Sequence, residues 1–246
     1  MIRLALAAFV VAACGARSEP VEPLSSNAAP PPTPRDTPAP TIAWGDHRLE
    51  AVGLPAVARG GELVVVALHE GDGGRGYPNL HVEVRDRSDR TIQSIPVAES
   101  DEYERLAPNG EPGKELAERI AEANRQLARL HGVHDLIAMH KLELQPTEDG
   151  GDKHLAIGDG FDVDWNGDHL HVFHHNTDQS LLTESGLPWL APEHKPCPTC
   201  EPCANPAYLA NVYHADAMNL FVVELAYKGT DTCWEPGNQL HVVTWP

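Results

Sequence analysis

The sequence predicts an α+β fold, predominantly antiparallel β-sheet with one amphipathic helix at about residues 112–131. Three observations carry this. Short β-branched or alternating runs recur along the chain, punctuated by Gly, Asn and Asp. One stretch alone, Pro112 to His131, repeats apolar residues at clear helical spacing. The strands are not interleaved with regular helices, as parallel crossovers would require.

The elements follow in order. ELVVVALH at 62–69 is a β-branched run closed by Gly60-Gly61 and by GDGGRG, which reads as a buried strand. LHVEVR at 80–85 alternates with period two: Leu80, Val82 and Val84 lie on one side, His81, Glu83 and Arg85 on the other. DRSDR then turns the chain and TIQSIPV returns as the next arm of a meander. In the helix, Leu116, Ile120, Ala123, Leu127 and Leu130 form an apolar stripe suited to core packing. Pro112 suits its first turn, Gly132 its C-cap, and Glu115 with Arg119 at i,i+4 its exposed face. Further strands are expected at Leu136–Leu144, Phe161–Trp165, His169–His174, Ala207–His214, Leu220–Tyr227 and Gln239–Trp245. The polar break PTEDGGDK at 146–153 either separates two lobes or forms a long hairpin loop.

The N-terminus carries an address. MIRLALAAFVVAAC holds one charge, Arg3, before an apolar run from Leu4 to Ala13 that is too short to span a bilayer. With small residues after it, the run reads as a secretory signal peptide over 1–13. Its end, Val11-Ala12-Ala13-Cys14, resembles the lipobox of bacterial lipoproteins. The resemblance covers residues 1–14 only. It implies cleavage before Cys14 and lipidation (palmitate among the acyl chains) of that residue. Gly15, where an Asp would suggest retention at the inner membrane, implies the outer membrane or the cell surface. Each buried acyl CH₂ contributes about 0.8 kcal/mol, so several chains on one Cys anchor firmly.

Residues 14–41 then form a tether. PVEPLSSNAAPPPTPRDTPAPT has eight prolines and almost no large apolar residue, so it cannot bury a core and favours extended geometry. At about 3.1 Å per residue it reaches about 80 Å when stretched. About 205 residues remain from Ile42 to Pro246, enough for one substantial β-rich domain or two small ones. The formal net charge is −18, and removing the leader takes away only Arg3. Such a surface repels nucleic acid and anionic headgroups. The lipobox resemblance implies the bilayer as a partner, through acylated Cys14, and the other partner expected is an unidentified protein or small-molecule ligand.

Two clusters carry chemistry. In FDVDWNGDHLHVFHH at 161–175, Asn166-Gly167 between alternating residues is a strong hairpin signal. A two-residue loop pairs Asp164 with His169 and Asp162 with His171. It leaves Phe161, Val163, Trp165, Leu170 and Val172 on an apolar face. The polar face is then a solvated one, or a divalent transition-metal site of Asp162, Asp164, His169 and His171, with His175 farther along the same side. D-x-D-x-N-G also matches half a calcium loop, but Phe173 stands where the bidentate Glu belongs. In CPTCEPC, Cys197, Cys200 and Cys203 could bind metal or act as a CPxC redox pair. Outside the cytoplasm, two disulfides that also use Cys233 are the simpler expectation.

No G-x-S-x-G elbow, H-E-x-x-H helix, P-loop or G-x-G-x-x-G occurs. His131, His134 and His140, and Ser180 and Ser185, offer no motif by spacing. The tryptophans at 165, 189, 234 and 245 are expected in core or corner packing, or lining a cleft. The function expected is that of a membrane-anchored extracytoplasmic lipoprotein with a non-catalytic binding or envelope-interaction domain and no cofactor. The alternatives are a transition-metal-binding lipoprotein and a metal-dependent hydrolase using the Asp/His face.

Overall fold

The computed structural model describes residues 37–69, 79–146, 154–158, 160–166, 169–175, 180–185, 207–215, 218–226 and 237–244. They belong to one compact unit, Arg35–Pro246. The chain begins with a hairpin of β1 (Thr41–Gly45) and β2 (Arg48–Val52). A first sheet contains β3 (Ala56–Ala58), β4 (Leu63–Leu68), β5 (Leu80–Asp86), β6 (Thr91–Ala98) and β7 (Leu136–Ala138), in the order β6-β5-β4-β3-β7. Helices α1 (Tyr103–Leu106) and α2 (Lys114–His134) lie between β6 and β7 in sequence.

The second sheet holds β8 (His140–Lys141), β14 (Tyr208–Ala215), β15 (Leu220–Ala226) and β16 (Gln239–Thr244), ordered β16-β15-β14-β8. The third holds β9 (Glu143–Pro146), β10 (His154–Ile157), β11 (Phe161–Trp165), β12 (His169–His174) and β13 (Ser180–Ser185), ordered β13-β12-β11-β10-β9. Every pairing among the described strands is antiparallel.

Residue alternation explains the layering. In β4, Leu63 and Val65 join a core shared with α2 and the β1–β2 hairpin, while Val64, Val66 and Leu68 join a core shared with the second sheet. In β15, Leu220 and Val222 face that same core, whereas Phe221, Val223 and Leu225 face the third sheet. Both strands are thus buried on both faces, which is why they read as unbroken apolar runs. Burying each Val or Leu contributes roughly 1.5–3 kcal/mol. The layers run α2 and hairpin, first sheet, second sheet, third sheet.

Several expectations need correction. The segment expected as one strand at Leu136–Leu144 is three short ones, each in a different sheet. Leu136 enters the first core, Met139 the second and Leu142 the third. Its buried residues recur every three positions, so no single sheet can take them all. Helix α2 carries the expected stripe into the first core, and Arg119 meets Glu115 at 2.8 Å. It runs on past Gly132, however, and ends at Asp135 in the left-handed conformation. The hairpin β1–β2 was not foreseen, because its turn uses Asp46 and His47, both at positive φ, in place of Asn-Gly. The strands flanking 147–153 pair with each other, so that polar break joins neighbours in one sheet.

Two sheet edges are satisfied by side chains. Asn124 of α2 accepts from the Ile42 N–H at 2.6 Å and donates to the Ile42 carbonyl at 2.9 Å, as a neighbouring strand would. On β16, Arg85 donates to the Leu240 carbonyl and Asp89 accepts from the Val242 N–H.

Candidate functional site

The outer face of the third sheet follows from its inner one. Phe161, Val163, Trp165, Leu170 and Val172 are buried in the third core, so the alternate residues of β11 and β12 face away. Trp165 is fixed further by donating from Nε1 to the Ala207 carbonyl at 2.8 Å. The hairpin register differs from the two-residue loop expected. Asn166 and His169 close the turn: the Asn166 N–H donates to the His169 carbonyl, and Asn166 Oδ1 accepts from the His169 N–H at 2.9 Å. Pairing therefore moves by two residues, opposing Asp164 to His171, Asp162 to Phe173 and Phe161 to His174. A shift of two keeps every side chain on its expected face.

This register divides the four residues singled out from sequence. Asp162 turns to His175, whose Nδ1 lies 3.0 and 3.1 Å from its two carboxylate oxygens. The Asp162 side chain is only 8% exposed against 40% for His175. A covered carboxylate thus orients a ring that still reaches solvent. Asp164, expected opposite His169, lies across from His171 instead, and His169 lies two residues along on the same face. The His169 and His171 rings are stacked, with centroids 6.0 Å apart and planes inclined by 26°. His171 Nδ1 lies 3.4 Å from Thr183 Oγ1, and its Nε2 lies 3.4 Å from Asn166 Nδ2. Among the described residues, no three His, Cys, Asp or Glu side chains converge as metal ligands. Strands, not helices, flank the half calcium loop.

A second polar cluster was missed from sequence. Asp86 Oδ1 accepts from the Ser88 and Arg90 N–H groups, which shapes the β5–β6 turn that carries Asp89. Arg85 reaches Glu83 at 2.7 Å and Asp89 at 2.9 Å. Asp89 Oδ2 meets His241 Nδ1 at 2.8 Å. Burial opposes ionisation of Glu83, but hydrogen bonds from His81, Arg85 and Thr91 and the charge of Arg85 outweigh it. They hold the carboxyl at about 2. The same contest, with His241, the Val242 N–H and Arg85 prevailing over burial, lowers Asp89. His81, Glu83 and Arg85 alternate as polar residues should. What the sequence did not reveal is that the second sheet approaches their face.

The remaining candidates scatter. His131 and His134 lie in the last turns of α2, where His134 Nδ1 meets Glu62 at 2.9 Å. His140 is exposed on β8. Ser180 and Ser185 lie on β13. Cys14, Cys197, Cys200, Cys203 and Cys233 lie outside the described residues, as do Trp189, Trp234 and Trp245.

In comparisons with family models, curated proteins and solved structures, nothing matches the chain. Among the described residues, no helix is long and apolar enough to cross a membrane.

Proposed function

We propose that this chain is an extracytoplasmic lipoprotein, anchored through acylated Cys14 to the outer membrane or cell surface, whose β-rich domain acts by binding. The observation that carries this is Cys14 directly after the Leu4–Ala13 apolar run, followed by eight prolines before the first strand at Thr41. A proline-rich segment of this composition suits a spacer between a membrane and a domain. The strongly acidic composition suits basic or cationic partners and disfavours nucleic acid. The polar residues of β11 and β12 lie on the face of the third sheet opposite its core.

Detergent phase partition of the full chain, expressed in a bacterium with a palmitate analogue, tests the anchoring. Wild type should be labelled and enter the detergent phase, and Cys14→Ala should do neither. An unlabelled wild type in the aqueous phase would overturn the proposal.

A further inference from the structure

We propose that His169 and His171 chelate one divalent transition-metal ion, of the zinc, nickel and copper class, on the outer face of the third sheet, with Asp164 as the adjoining carboxylate. The site is independent of lipid anchoring. Alternate residues of a strand point the same way, so the two imidazoles share a face with one residue between them. Their ring centroids lie 6.0 Å apart with planes inclined by 26°, and side-chain rotation that turns one nitrogen of each ring toward the other would hold one ion at bonds of about 2.0–2.1 Å.

His171 Nδ1 lies 3.4 Å from Thr183 Oγ1, and with the ring proton on Nδ1 the Nε2 lone pair is left for a Lewis acid. Metal-bound histidines are oriented in this way by a bond from the second nitrogen. The Asn166 Nδ2 contact to Nε2, at 3.4 Å, is long for a hydrogen bond, and an ion would displace it at little cost. Asp164 lies directly across from His171 and adds negative charge where the ion would sit. Neutral imidazole selects transition metals over calcium or magnesium. Asp162 and His175, included with this face in the sequence, belong elsewhere: their mutual contact occupies the far end of the hairpin.

The test is electron paramagnetic resonance of the full chain in detergent with one equivalent of Cu²⁺, followed by Zn²⁺ competition. The expected spectrum shows two coordinating imidazole nitrogens. His169→Ala and His171→Ala should each lose this signature and weaken binding by at least about tenfold. His175→Ala should leave both unchanged, and thermal melts of all three variants check folding. A spectrum unaltered in His171→Ala, a signature lost only in His175→Ala, or no copper bound by wild type would each overturn the proposal.

Discussion

Asp89 accepts a hydrogen bond from the backbone N–H of Val242 at 2.8 Å, across 153 residues of sequence. With Arg85 on the Leu240 carbonyl, an ion pair from the first sheet thereby stands where a further strand would lie beside β16. Unpaired edges invite association with other chains, and natural sheets cover them.

Removing Asp89 strands three groups at once: the Val242 N–H, His241 Nδ1 and part of the Arg85 guanidinium. Asp89→Ala should cost about 3 kcal/mol in urea unfolding, within the range for breaking a buried pair. A loss under about 1 kcal/mol would show that solvent replaces these contacts.

Glu83 ties stability to acid. Its carboxyl titrates at about 2 in the fold against 4.5 ordinarily. A lowered folded value gives stability that is complete above the unfolded value and is lost as pH falls through the folded one. The increment is roughly 3 kcal/mol for a side chain this well covered. Glu83→Gln should therefore be destabilised at neutral pH, and its deficit against wild type should shrink between about pH 5 and about pH 2. A deficit that does not change with pH would contradict the charge network.

Gly132 distinguishes the helix seen from the helix expected. It sits exposed inside α2, and Asp135 takes the left-handed position. Gly132→Ala should raise stability by about 0.5–1 kcal/mol by thermal melt. Destabilisation would place Gly132 at a C-cap.

The four distal cysteines should give two disulfides when the chain is exported. Thiol counting under denaturation should then find none free among Cys197, Cys200, Cys203 and Cys233 without reductant. Four free thiols would contradict the two disulfides.

What the sequence showed and hid has a common cause. The α2 stripe and the strands β5, β11 and β12 were legible because local periodicity separates buried from exposed residues, and β4 and β15 because burial on both faces leaves an unbroken apolar run. The faces of the β11–β12 hairpin were legible for the same reason. Its register was not, because the Asn166 side chain chooses the closing pair. Nor was the division of Leu136–Pro146 among three sheets, which depends on strands far away in sequence. The candidate site shows the same limit. His169, His171 and Asp164 were legible as one face, but the contact of Asp162 with His175 and the covering of Arg85 by β16 come from chain packing.

The mass of the N-terminal fragment from membrane-extracted protein reads the lipid anchor at Cys14 itself. The expected fragment begins with Cys14 and carries the added mass of glyceryl-linked acyl chains. A fragment that begins at Met1, or one that contains Cys14 as an unmodified thiol, would contradict it.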